Sequence, residues 1–523
     1  MPYPLIIVLL VATLLYLTRL RYRPHLRGIP GPFFSSFSHL PRLVSVARGA
    51  AHTDAILQHQ RYGPVVRVGP NHVSFSNAEA LSVVYSISSK FEKSDFYKPF
   101  DAKTPHAWIP TIFSVRSERA HRDIKRPIAG AYSMTSLLEL EGLTDECIRI
   151  LCDKFSQKLN TCKKIDLDLG DWLHWYAFDL ITSITFSSRL GFMEKEEDIE
   201  GIISAIEGRL KYNSTIGQWP GLHKYLIGDN FVSKIVTHMP RIRKLNTGSR
   251  IVEFTAQQLK RYEKKDKEQI VYIDMLDRFR RVSSSGNILM TDQDVFMAAL
   301  GNIFAGSDTT AISLRSMFYY LLKSPKSLER LRAEIDSMDK EGGLSEIVTF
   351  AESQKMPYMQ ACLKEAMRMH PAVGLMLERI VPEDGVEIAG HHIPAGAVIG
   401  ANPWVVARDK NVYGDDADKF RPERWLDLWN AIDDECAVNV ESLALTKEKL
   451  KRMERNFLAF GMGSRTCLGR NVSILEMNKL IPQLFRLYDF ELVNAHAEWK
   501  VENYWFAKQV GLRCSIRPRQ RNL

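Results

Sequence analysis

Uncharged residues fill the first eighteen positions of the chain, and the run "PLIIVLLVATLLYLT" from Pro4 to Thr18 shows no polar face. Eighteen helical residues rise about 27 Å, the thin end of what crosses a bilayer core. Arg19, Arg21, Arg23 and Arg27 follow at once, and no small-residue cleavage site marks a removable signal. The pattern predicts a single transmembrane anchor over residues 1–18, with the arginines and everything after them in the cytosol. Residues 19–32 are basic and end in "GIPGP" (Gly28 to Pro32), which predicts a stiff, extended hinge. Residues 33–523 read as one folded body.

Beyond the hinge the apolar period changes twice. Two short β-branched runs flank Gly69-Pro70-Asn71 and predict a hairpin, and Val386 to Asn402 repeats that grammar. Both are expected to belong to one small sheet. Between Ala78 and Pro371 apolar positions recur at helical spacing, interrupted by loops such as "KPFDAKTPHAWIP" and "STIGQWPG". The fold class expected is therefore mainly α with a minor β-sheet. One predicted helix is exceptional: it is capped by Thr291 with Asp294, stops at Ser324-Pro325, and would extend about 50 Å. It is apolar on nearly all sides, so it should be central.

Composition narrows the class. The 523 residues, 45% hydrophobic and 25% charged, are those of a globular, enzyme-sized protein. The net charge of +9 comes from scattered basic residues, without the stripe or module of a nucleic-acid reader, so no nucleic-acid partner is expected. A basic patch facing a membrane or an acidic protein fits better. Seven cysteines form no CxxC pair, which argues for a reducing compartment and against a disulfide framework or a zinc module. Asn213-Ser214-Thr215 and Asn471-Val472-Ser473 match glycosylation acceptors that a cytosolic body leaves unmodified.

Two stretches carry chemistry. In the long helix, "AGSDTT" (Ala305 to Thr310) puts small, acidic and hydroxyl residues where a helix favours alanine and leucine. Ala305 and Gly306 alone would fit a close helix crossing. Asp308 beside Thr309 fits a proton route at a local bend. In "FLAFGMGSRTCLGR" (457–470), Gly461 and Gly463 let a loop lie flat against a planar ligand. Cys467 follows just before a helical segment, where the helix dipole favours a thiolate, and Arg465 is placed to meet an anion. Thiolate, flat ligand and anion-pairing arginine point to a cysteine-held haem.

The same run resembles the haem-binding signature of the cytochrome P450 superfamily, F-x-x-G-x-R-x-C-x-G, at Phe460, Gly463, Arg465, Cys467 and Gly469. "AGSDTT" resembles that family's oxygen-activation motif, "EAMR" its E-x-x-R, and "FRPERW" its partner loop. The resemblance covers nearly all of the chain after the anchor. It implies a P450 fold and makes residues 33–523 a haem-thiolate catalytic domain. It implies haem b ligated through Cys467, with Thr309 and Asp308 as catalytic residues and Glu365, Arg368 and Arg424 as a structural charged triad. It implies Arg379 as a propionate partner, with His121 and Lys125 standing where W-x-x-x-R is usual and Arg122 or Arg126 as alternatives. It implies a monooxygenase whose electrons come from NADPH through a separate flavoprotein reductase, since no nucleotide-binding fingerprint is present. The reductase would dock on the basic Lys447–Arg455 and Arg116–Arg126 segments. A hydrophobic small-molecule substrate would sit among residues 98–115, Phe304, Ala305, residues 373–376 and residues 504–506. The wording resembles fungal microsomal members acting in secondary metabolism, which implies a single-pass protein of the endoplasmic reticulum membrane. An isomerase or dehydratase on the same scaffold, and a non-catalytic haem-binding scaffold, are the other readings.

Overall fold

The computed structural model describes residues 3–520 except 105, 106, 228–234, 236–238, 240–246, 265–271, 285–289 and 434–439. Its organising element is the helix Asp292–Lys323, closed at its start by the Thr291–Asp294 capping box as its sequence predicts. Among the described residues this is the helix long and apolar enough to cross a membrane, yet most of it lies inside the body. It packs along Leu169–Phe186, which is itself buried almost throughout. The helix Arg470–Leu487 closes the other side, where Phe318 stacks on Phe485 with ring centroids 4.8 Å apart. Hydrophobic patterning therefore produces a three-helix centre, with shorter helices wrapped around it.

A second, smaller core lies around a four-stranded sheet ordered Val65–Gly69, His72–Phe75, Val398–Gly400, Arg379–Ile380. The first two strands form the expected hairpin, with Val65 opposite Phe75 and a register shift between Arg67 and Gly69. Val398–Gly400 joins this sheet, parallel to His72–Phe75. Val386–Ile388 and His391–Ile393 instead pair only with each other, so the expectation of one sheet holds for half of that segment. Between Ala78 and Pro371 the structure adds strands that helical periodicity hid, including Ile165–Asp168, which is an edge strand against Arg513–Pro518. The helix Ile202–Gly217 also runs into "STIGQWPG", where a loop was expected. Asn213 and Ser214 are buried there, and the Ser214 hydroxyl donates back to the Leu210 carbonyl at 2.7 Å.

The N-terminal helix spans Tyr3–Arg21, past the expected end at Thr18, because basic residues suit a helix C-terminus and no breaker precedes Pro24. Its apolar side chains from Ile6 to Tyr16 are exposed. The segment after it is not the extended hinge expected from its prolines. It folds into turns that bury Leu26 and Ile29 in the small core. Arg67, 1% exposed, donates to the carbonyls of Leu20 (2.7 Å) and Arg21 (2.9 Å), capping the helix with a guanidinium. Tertiary contact, absent from the local pattern, decides this segment.

Candidate active site

A cavity of about 570 Å³ lies between the central helix and the segment Leu458 to Gly469. That segment is held by its glycines. Gly461 and Gly463 take φ of +70° and +65°, and a Cβ on Gly463 would fall 1.9 Å from the Tyr85 carbonyl oxygen. The Cys467 amide donates to the Phe460 carbonyl at 2.8 Å, so the loop folds back and presents both side chains to the cavity. The Cys467 sulfur is reached from the cavity and is otherwise enclosed by protein. Burial pushes its thiol up, against the pull of the Gly469 and Arg470 amides and of the Arg470 and Lys125 charges. The helix-start amides thus favour the thiolate, as its sequence predicts, and burial opposes them.

The facing wall is the helix stretch "AGSDTT", which runs unbroken where a local bend was expected. Ala305 and Thr309 face the cavity, and the Thr309 hydroxyl donates to the Ala305 carbonyl at 2.9 Å. Gly306 serves a different end. A Cβ there would lie 2.5 Å from Ile181 Cγ1, so it permits the close crossing with Leu169–Phe186. Asp308 is not among the residues of the cavity wall. It is buried behind Thr309 with Oδ1 2.7 Å from His174 Nε2. Burial raises its carboxyl, but the charge and hydrogen bond of His174 outweigh that and hold it below its ordinary range.

Basic side chains gather along the cavity. Lys93, His121, Lys125, Arg379 and Arg465 all line it. Lys93 is buried, donates to the Phe113 carbonyl and sits over the Tyr97 and Phe113 rings. Arg379 donates to the Glu378 carbonyl (2.9 Å) and Lys125 to that of Ser464 (3.0 Å). Arg465 is bound by protein groups: Nε to Glu118 at 2.6 Å, and its other nitrogens to the carbonyls of Val115, Arg116 and Ser117. It ties the cysteine loop to the start of the helix Glu118–Ile128.

Glu365, Arg368 and Arg424 meet in the interior. Arg368 grips Glu365 through Nε and Nη2, both at 2.8 Å, and its Nη1 reaches the carbonyls of Ala407 and Ala417. Arg424 Nε reaches Glu365 at 3.3 Å, and Trp425 Nε1 donates to the same carboxylate at 2.9 Å. The side chains of Glu365, Arg368 and Arg424 are all 2% exposed or less.

The cytochrome P450 family model matches residues 29–513. The chain belongs to the cytochrome P450 family. Among similar proteins, cytochrome P450 monooxygenase cicH of Emericella nidulans is 36% identical over 96% of this chain and 95% of its own length. A pisatin demethylase of Fusarium vanettenii is 35% identical over 94% and 90%. Cytochrome P450 monooxygenase mpaDE of Penicillium roqueforti is 36% identical over 99% of this chain, which spans 59% of that longer protein. The chain is accordingly an oxidoreductase of the P450 type.

The residues of this P450 fit the haem that the family implies. One sulfur donor faces the cavity from a loop whose Gly463 admits no side chain. Among the described residues, Lys93, His121, Lys125 and Arg379 have no carboxylate within ion-pair distance. Burial, with the neighbouring Arg465 charge, holds the His121 imidazole down at about 3 and the Lys93 ammonium far below its usual range. Arg379 and Lys125 bring charge to this edge of the cavity, while the desolvated Lys93 and His121, held towards their neutral forms, are groups that a ligand edge carrying two carboxylates would favour in their protonated, donating state. Of the alternatives Arg122 and Arg126, both point outward and neither lines the cavity.

Two polar groups escaped the sequence reading. Lys93, in "FEKSDFY", lies in a segment with no local signal for an anion site. Glu476 is 1% exposed with neither carboxylate oxygen hydrogen-bonded, and burial drives its carboxyl far up; its polar neighbour Thr310 pairs with the cavity-lining Ser473 at 2.8 Å. An acid inside the apolar run "SILEMNKL" was the signal. The expected substrate wall is present in part: Phe100, Phe113, Val373, Trp505 and Phe506 line the cavity, while residues 374–376 do not. Trp505 holds φ +79° at the tip of the hairpin Lys500–Val510, and its ring packs among Phe96, Tyr97, Phe100 and Phe113.

Proposed function

We propose that this P450 is a membrane-anchored haem-thiolate monooxygenase that inserts one oxygen atom from O2 into a hydrophobic small molecule of secondary metabolism. The observation that carries the reading is the Cys467 sulfur facing the cavity from a loop that only glycine at 463 allows. Haem b, when bound, supplies the reductive cleavage of O2 that yields one hydroxylated product and one water for two electrons and two protons. Cys467 would ligate its iron, with Phe460 and Gly469 lining the same cavity and Gly463 setting the course of the loop, and Arg379, His121, Lys125 and Lys93 would hold its propionates. Arg465 acts at the same edge, largely by fixing the loop to Glu118.

Thr309 holds a hydroxyl at the cavity wall, where it orients proton donors, and its bond to the Ala305 carbonyl sets its rotamer. Asp308 and His174 lie buried behind it with Oδ1 and Nε2 2.7 Å apart, the pair from which protons are passed forward. Apolar walls exclude bulk water and take the substrate's hydrocarbon body. Electrons come from NADPH through a separate flavoprotein reductase, which docks on the exposed bases of Lys447–Arg455 and on Arg119, Arg122 and Arg126. The helix Tyr3–Arg21 anchors the chain in the endoplasmic reticulum membrane with the catalytic domain in the cytosol. Names of full-length relatives, among them a monooxygenase and a demethylase, support the reaction class.

The test is direct. Haem-loaded protein reduced under carbon monoxide should give the red-shifted band of sulfur ligation, and turnover of a bound lipophilic metabolite should require NADPH and reductase. Turnover that proceeds equally without reductant rejects the monooxygenase in favour of an isomerase or dehydratase.

A further inference from the structure

Inside the helix Ile202–Gly217, Arg209 and Asn213 lie one turn apart and both line the cavity. They belong to the part of it built by that helix, by Gly248–Glu263 and by the segment from Asp95 to Ile109, none of which contributes to the cysteine loop. Arg209 is 5% exposed and Asn213 1%. A cation at that depth normally has a carboxylate partner. Among the described residues Arg209 has none, and its one hydrogen bond runs from Nη2 to the Pro99 carbonyl at 2.8 Å. Its guanidinium stands over the rings of Trp108 (5.8 Å) and Tyr212 (5.4 Å), and a Cβ on Gly248 would come within 3.4 Å of it. The Asn213 amide oxygen is buried with no hydrogen-bond partner.

These contacts explain how the guanidinium is held flat, not what neutralises it. The acid of this end, Asp101, makes no ion pair with Arg209; the two attract each other only at longer range, and burial pushes the Asp101 carboxyl up. The surroundings include the apolar side chains of Ile181, Ile251, Val252 and Phe304, with Lys103 and Ser249 as polar members of the same end. An apolar chamber with a buried guanidinium that has no ion-pair partner at one end is built for an amphiphile whose polar end is anionic.

We propose that the substrate is a hydrophobic carboxylic acid, its carboxylate held by Arg209 and accepting from Asn213 Nδ2, and its apolar end presented to the Cys467 side. Arg209 and Asn213 are then specificity-determining residues. The proposal rests on the haem-thiolate reading for the chemistry, but binding of the acid does not depend on turnover. A guanidinium pairs bidentately with a carboxylate and gains little from the corresponding ester, so the discrimination expected is about tenfold or more.

The experiment is calorimetric titration of the haem-loaded protein with three matched pairs: 2-naphthoic acid, biphenyl-4-carboxylic acid and decanoic acid, each against its methyl ester. At least one acid should bind tenfold or more tightly than its ester, and Arg209→Gln should remove that margin while leaving ester affinity within about twofold. Acids no tighter than their esters in every pair, absence of binding by all six compounds included, overturn the proposal, as does an Arg209→Gln variant that weakens acid and ester alike. Should Arg209→Gln fail to take up haem, Asn213→Leu carries the test: it should cut the acid-to-ester margin at least threefold, and an unchanged margin counts against the proposal. The carbon monoxide band of the same preparation reports separately on sulfur ligation, so failure of the haem reading and failure of acid recognition give different results.

Discussion

Replacing Glu365 by glutamine removes one negative charge from a site where Arg368 and Arg424 keep two positive ones, all three side chains being almost wholly buried. The amide still accepts from one guanidinium, but the bidentate grip at 2.8 Å and the Trp425 contact at 2.9 Å lose their charge. Breaking a buried pair by neutralising one partner costs about 3–5 kcal/mol, because the remaining charge is stranded away from water. For 523 residues the unfolding entropy is roughly 1.1 kcal/mol/K, so the midpoint should fall by about 3–5 °C. The assay is thermal loss of the sulfur-ligated carbon monoxide band in haem-loaded protein. Glu448→Gln is the control, since its partner Arg455 is 3.5 Å away and both are exposed, where a pair is worth less than about 1 kcal/mol. Adding Arg368→Met to Glu365→Gln should recover part of the loss, because the stranded charge goes with it. A Glu365→Gln midpoint no lower than that of the control would refute the argument.

Gly463→Ala should abolish stable haem uptake, since the new methyl group meets the Tyr85 carbonyl and φ is +65°, whereas Gly221→Ala, with open space at its Cβ and away from the cavity wall, should retain it; the haem absorbance per protein decides. Cys467→Ser should lose the red-shifted carbon monoxide band even where haem is bound. Thr309→Ala removes only a hydroxyl bonded to its own helix, so haem should stay while nicotinamide consumption outruns product; loss of haem would make its role structural. Asp308 has a folded-state carboxyl held below its ordinary 3.8. Its stabilisation is therefore fully present above that value and lost as pH falls through the folded one. The urea-midpoint gap between wild type and Asp308→Asn should narrow as pH falls below about 4.

The cysteine loop, the capped central helix and the E-x-x-R spacing were legible because each is a local signal: glycines at fixed offsets, a cap, an i,i+3 pair. Glu365 and Arg368 already share a helix face in sequence, and Arg424 joins through one short motif. Gly306 was readable as a crossing residue, yet its division of labour with Ala305 depends on Ile181, distant in sequence. Asp308 looked catalytic by adjacency to Thr309, but successive helical positions turn about 100° apart, which sends its carboxylate to His174 and away from the cavity. Lys93, Arg209 and Asn213 carried no sequence signal, because an unpaired buried charge is defined by what the fold leaves beside it. Ile165–Asp168 was missed as a strand since its partner lies at the far end of the chain.

The guanidinium of Arg67 at the end of the N-terminal helix turns what would be a leash into a bracket. A body bolted to its own N-terminal helix cannot swivel freely about it, so the angle between the two is fixed in part by these two carbonyl oxygens. A trimmed version starting after residue 21 forfeits both of them and leaves the sunken guanidinium with only the Pro70 and Leu26 carbonyls, so removing the helix would loosen the small sheet as well.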